Sequence, residues 1–237
     1  MSTIDDATSH SAEQQEAAFF EQLAERSKTD PLIGAKMGSQ EVTKRLMAAL
    51  KSEQGVHIES LIGLLGALAG YACQASVRAQ AVAQGLPDTA LMTVLQASDG
   101  NTYYVGDALN KPLAQAQYSV WGIAGAGAQD AGCAALPDVA EIFSYAASVI
   151  GSDAFGQYRV AGNKPGELPR DYLKYVWAGV FKTVVRFCPN PEQWPVLLAL
   201  ALRDAIIWGK TVLNPCLALQ LGMDSAVQMS MVQLDGQ

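Results

Sequence analysis

LIGLLGALAGYAC, residues Leu61 to Cys73, carries no charged side chain and repeats small residues at helical spacing. Gly63, Gly66, Gly70, Cys73 and Val77 follow one another by three or four positions and therefore share one helix face. Leu61, Leu65, Leu68, Ala72 and Ala75 form a second apolar stripe, and a helix apolar on more than one side has to be buried. Each interior glycine costs roughly 1 kcal/mol relative to alanine, so close approach of another backbone is the expected compensation. The spacing predicts a helix from His57 to Gln84, ended by Gly85, Leu86 and Pro87.

Working outward, Ser39 to Glu53 reads as a preceding helix that buries Val42, Leu46, Ala49 and Leu50. Downstream, Leu91–Ala97 and Thr102–Val105 flank an Asp99-Gly100 turn and predict a β-hairpin over about 91–105. Tyr103 and Tyr104 alternate across its second strand, so only one is expected to face the core. Helices are expected over Pro137–Ile150, Pro169–Phe187, Pro191–Lys210 and Pro215–Val232, with Asn190 and Asn214 as N-caps before proline. Pro195 allows the third of these to begin four residues late. The fold class is therefore mainly α: a single-domain helical bundle around a glycine-lined buried helix, with one β-hairpin.

Charge divides the chain. Residues 1–30 hold seven acids against Arg26 and Lys28, a net of -5, while the other 207 residues hold 16 acids and 14 bases, a net of -2. Residues 1–30 are thus expected to be an acidic amphipathic arm with Ala17, Phe20, Leu23 and Ala24 on its apolar face, and 31–237 the helical domain. A near-neutral body argues against a nucleic-acid binder. No secretory leader is legible, and the uncharged run of 13 is shorter than the roughly 20 residues of a membrane span, so no membrane role is expected. Cys73, Cys133, Cys188 and Cys216 lie far apart, without a C-x-x-C pair, and are expected as buried reduced thiols in a cytoplasmic protein.

Chemistry is sparser. His57-Ile58-Glu59 places an imidazole and a carboxylate at a helix start, where a general base can be built, although acids in a first turn are ordinary. Asp107 and Asn110, after the hairpin, offer a second polar cluster, with Asp107 equally suited to capping a turn. The aperiodic stretch FGQYRVAGNKPGELPRD, residues 155–171, carries Arg159, Lys164 and Arg170 for an anionic substrate. Catalytic candidates are thus His57, Glu59 and Asp107, and substrate-binding candidates Asn110, Arg159, Lys164 and Arg170.

The glycines at 122, 125, 127 and 132 lack the strand and residue pattern of a dinucleotide loop and read instead as tight helix packing, with the Gly66 face as the expected partner. Arg170, Lys174, Lys182 and Arg186 share one helix face and suit solvent. No local metal or nucleophile signature occurs, so neither cofactor nor metal is expected.

GVHIESLIGLLGALAGYACQ, YYVGDALNKPL and SVWGIAGAGAQ resemble phrases of an uncharacterised family of bacterial cytoplasmic proteins, over most of residues 39–232. The resemblance implies a bacterial, cytoplasmic protein and carries over no activity and no catalytic residue. Two function classes follow from the residues. One is a binding or interaction protein, homo-oligomeric or with a protein partner held through the arm. The other is a small-molecule enzyme with a His57 or Glu59 base and an Arg/Lys-bearing loop.

Overall fold

The computed structural model describes residues 3–159 and 165–234. Its central helix, α3 (Ile58–Ala83), is buried along nearly its whole length. It ends as the sequence predicts. Gly85 turns into the left-handed region at φ +73°, the Gly85 amide donates to Val82 and the Leu86 amide donates to Ala81, which closes the helix with two backbone bonds. By length and composition α3 would cross a membrane, yet 94% of its most apolar 18-residue window is buried inside the protein.

Before α3 come α1 (Thr3–Ser27) and α2 (Ile33–Leu50); after it come the hairpin strands β1 (Thr93–Gln96) and β2 (Thr102–Val105). A short helix α4 (Asp107–Asn110) continues into a wide turn over Lys111–Gln115. The remainder is α5 (Val120–Asp130), α6 (Val139–Ser148), α7 (Pro169–Phe187), α8 (Trp194–Gly209) and α9 (Pro215–Met229). The protein is mainly α with one hairpin, as expected. The caps expected at Asn190 and Asn214 are formed, and Asp138 and Ser119 cap α6 and α5 in the same way.

α8 and α9 lie directly against α3, while α2 and α7 close the outer side. The glycine face of α3 meets α9, not α5. A Cβ built on Gly66 would fall on the backbone of Gly222, and one on Gly70 on the carbonyl oxygen of Ala226. Two backbones in direct contact supply the compensation that the glycines require. The expected pairing of the Gly122–Gly132 segment with Gly66 is therefore corrected: α5 packs on α8 and α9, with Gly127 against the stem of Arg203. Small-residue content favours α5, but the contact is decided by where Gly222 and Ala226 fall on α9.

Three further expectations change. The second helix begins at Ile33, six residues early, because Gly34 and Gly38 are used for close packing: a Cβ on Gly38 would stand 2.8 Å from Cβ of Phe187. Tyr103 and Tyr104 are both buried, since each face of β2 is covered. The ring of Phe155 packs on Tyr103 at 4.8 Å, and the Arg78 guanidinium lies 4.4 Å over Tyr104. The cysteines are not all reduced. Cys133 and Cys216, 83 residues apart, form a disulfide that ties the end of α5 to the start of α9, while Cys73 and Cys188 remain buried thiols. A single apolar cluster runs from Ala35 through α3 and α8 to Leu234.

Candidate functional site

The first turn of α3 brings together part of the predicted chemistry. His57 Nε2 stands 3.3 Å from a Glu59 carboxylate oxygen, and His57 Nδ1 lies 2.9 Å from the Ser60 hydroxyl. The Ser60 oxygen also accepts the Gly166 amide at 3.1 Å. A hydroxyl, an imidazole and a carboxylate thus line up in a chain, with Glu59 and Ser60 buried and His57 open to solvent. Sequence reading found His57 and Glu59 but missed Ser60, whose partner Gly166 is over a hundred positions away.

Immediately beside them, Tyr158 presses its ring into the notch left by Gly63, where a Cβ would meet the phenol oxygen at 2.8 Å. Its hydroxyl donates to the Glu167 carbonyl at 3.0 Å. Desolvation pushes this phenol well above its ordinary range, so it stays a proton donor. The described parts of the 155–171 stretch are therefore pinned to α3 and α9, not poised as a lid. Gly156 donates its amide to Gln228 at 2.6 Å, which fixes the other flank.

The cationic candidates do not join the His57 turn. Arg159 donates two bonds to the buried Asp224 of α9, a third to Glu141, and stacks 3.9 Å over Tyr145. Burial raises the Asp224 carboxyl from its ordinary value and Arg159 pulls it back. Burial would lower the Arg159 guanidinium, but its two carboxylates hold it above the ordinary value. Arg170 sits at the start of α7, 3.5 Å from the Asn101 side chain, and its Nε is buried without a partner. It lines a cavity of about 200 Å³ with Asp99, Tyr103 and Asp153. There Tyr103 donates to Asp99 at 2.7 Å; burial, then that bond, pushes the phenol up to about 12.

Lys164 lies outside the described residues. Asp107 is exposed on α4 and caps nothing, Gly106 being the cap residue, and Asn110 closes the same short helix. Neither bonds to the His57 turn among the described residues. Of five cavities between about 190 and 520 Å³, none is lined by His57, Glu59 or Ser60.

The arm is unlike everything else in the protein. From Gln14 to Ser27 only Leu23 is buried and Phe20 is half-buried; Ala17 and Ala24, expected on the docked face, are exposed. Its aromatic and charged side chains reach the end of α7. Phe19 and Phe20 meet the Phe187 ring edge-on at 6.3 and 5.3 Å, and Arg186 pairs with Glu16 while lying 4.5 Å over Phe20. A cavity of about 520 Å³, walled by Leu23, Ala24, Gly34 and Phe187 among others, remains between arm and body. α2 is the element with which α1 shares its main contact. On the outward face of α7, Lys174, Tyr175 and Lys182 are exposed, Tyr175 to 82%.

No known family, no curated protein and no solved structure matches the chain.

Proposed function

We propose that the protein is an interaction protein that associates with itself through its N-terminal helix, the arm of one copy crossing the outward face of α7 in another. One observation carries the reading: a helix of 25 residues in which, of the side chains from Gln14 onward, a single one is buried. Helices owe most of their stability to a packed apolar face, and from Gln14 onward this one has little within its own chain. At 1.5 Å per residue it is about 37 Å long, enough to reach a second molecule.

Charge selects the partner. The arm segment is strongly acidic, and α7 presents Lys174 and Lys182 around the exposed Tyr175 ring. Opposite charge steers and registers such a contact, and an aromatic anchor amid polar residues is a usual interface centre. A two-fold arrangement uses the arm and the α7 face twice, once in each direction.

The enzyme reading draws on the Ser60–His57–Glu59 chain. It is the weaker of the two, because Gly166 covers Ser60 and Arg159 is engaged with Asp224. A bacterial, cytoplasmic setting belongs to the proposal through the resemblance and the thiols of Cys73 and Cys188. The Cys133–Cys216 bond weighs the other way, since disulfides persist mainly in oxidising compartments.

Sedimentation velocity over a range of protein concentrations tests the proposal. The full chain is expected to sediment as a dimer that dissociates in high salt, and the Tyr175→Ser, Lys182→Glu double variant as a monomer with unchanged far-ultraviolet circular dichroism. A monomeric full chain at every concentration and salt would contradict it.

A further inference from the structure

Arg170 holds the only buried side-chain polar atom left without a hydrogen bond among the described residues, its Nε. The contact of its terminal nitrogen with the Asn101 side-chain oxygen is 3.5 Å long, at the outer limit of a bond. Arg45, Arg78, Arg159, Arg186 and Arg203 are all ion-paired, whereas Arg170 forms no ion pair among the described residues. A buried donor without a partner costs its full desolvation, and the acceptor that best matches a guanidinium is a carboxylate.

This side chain lines a cavity of about 200 Å³ between the start of α7, the hairpin turn and the turn at 152–156. Drug-sized ligands occupy roughly 300–1,000 Å³, so the occupant here has to be small. Three carboxylates share the wall, and two of them are committed. Asp99 accepts the Tyr103 hydroxyl and the Asn101 side chain, both at 2.7 Å, and the Asn101 amide at 2.9 Å, bonds that hold it below its ordinary value. Asp171 lies 4.0 Å from Lys174 in the first turn of α7. Asp153 is exposed at the rim and has neither a side-chain hydrogen bond nor an ion pair among the described residues. The rest of the wall is apolar, with Met229 fully buried and the Phe155 ring braced on Tyr103 at 4.8 Å.

We propose that this cavity binds a free α-amino acid with a short apolar side chain. Its carboxylate takes the Nε proton of Arg170, its ammonium faces Asp153, and its side chain lies against Phe155, Leu168 and Met229. One unpaired cation and one unpaired anion on the same small cavity match the two charges of a zwitterion. An anion alone would reach Arg170 but meet the three carboxylates, and a cation alone would leave the Nε unbonded. The cavity shares no lining residue with the His57 turn, so the inference stands apart from the enzyme reading, and it holds whether or not the arm associates.

L-Valine, isovalerate and isobutylamine are the probes, because they share one isobutyl framework and carry both charges, the carboxylate alone and the ammonium alone. Binding to the full-length protein at neutral pH is read by titration calorimetry and by saturation transfer to the probe. L-Valine is expected to bind about threefold more tightly than isovalerate, as for an exposed ion pair at Asp153. Over isobutylamine its advantage is expected to be about tenfold or more, as for a hydrogen bond to a charged group. Asp153→Asn is expected to erase the preference over isovalerate without weakening isovalerate itself. Arg170→Met is expected to weaken L-valine by about tenfold or more. Unfolding temperatures are measured alongside, and Asp153, being at the surface, keeps the test decisive where Arg170→Met is destabilised. No binding of L-valine, binding of isovalerate or isobutylamine as tight as that of L-valine, or L-valine binding unchanged by either substitution would overturn the assignment.

Discussion

Gly70 of α3 lies so close to Ala226 of α9 that a methyl group on Gly70 would occupy the position of the Ala226 carbonyl oxygen. One turn earlier Gly66 stands in the same relation to Gly222. The two helices therefore touch backbone to backbone, and the opposing atoms are main-chain atoms that cannot rotate away.

Gly70→Ala is accordingly expected to destabilise the protein by about 3 kcal/mol or more, at the upper end of overpacking costs. Gly179, on the exposed face of α7, has open space where a Cβ would stand, with no neighbouring atom within 4 Å. Gly179→Ala is expected to stabilise by about 0.5–1 kcal/mol through helix propensity. Denaturant midpoints of the two variants check the pair. A Gly70→Ala protein as stable as the wild type would show that α3 and α9 are not in backbone contact.

Arg159 and Asp224 yield a pH-dependent outcome. Burial places the folded-state Asp224 carboxyl above its ordinary value of 3.8. Between those two values the folded state holds the extra proton, so stability falls as pH rises through the window and is level above it. Arg159→Met removes the group that pulls Asp224 down, which extends the window upward. The variant is expected to lose about 3–5 kcal/mol at neutral pH, as for a buried charge stripped of its partner, and to regain part of it on acidification. Asp224→Asn, which leaves Arg159 with Glu141, is expected to lose less. Unfolding at several pH values decides; a pH-independent loss in Arg159→Met would refute the account of this pair.

The cysteines separate by count. Unfolded without reductant, the chain is expected to show two reactive thiols, Cys73 and Cys188, and four after reduction. Closing a loop of 83 residues corresponds to about 4.5 kcal/mol in the chain-entropy account, so reduction is expected to lower the unfolding temperature by several degrees. Four thiols before reduction would restore the reading of four reduced cysteines.

Much of this architecture is legible from local signals. The C-terminal limit of α3 follows from Gly85 and Pro87, and the hairpin from Asp99-Gly100, because turn chemistry is written in adjacent residues. What could not be read is pairing across the chain. Gly66 meets α9, the less small-residue-rich of the two segments, and Cys133 finds Cys216 through the fold alone. Ser60 gains its meaning from Gly166. In the candidate site the nearest neighbours, His57 and Glu59, did meet, whereas Arg159 and Arg170 went to separate partners. Arg159 met the carboxylates of Asp224 and Glu141, and Arg170 the Asn101 side chain.

Self-association through the arm is tested most directly by zero-length carbodiimide cross-linking of an equal mixture of ¹⁴N- and ¹⁵N-labelled full chain. Carboxylates of the arm, Asp5, Asp6 and Glu13 among them, are expected to join Lys174 or Lys182 in peptide pairs that mix the two isotopes. Arm-to-α7 pairs in which both peptides always carry the same isotope, or no such pairs at all, would contradict it.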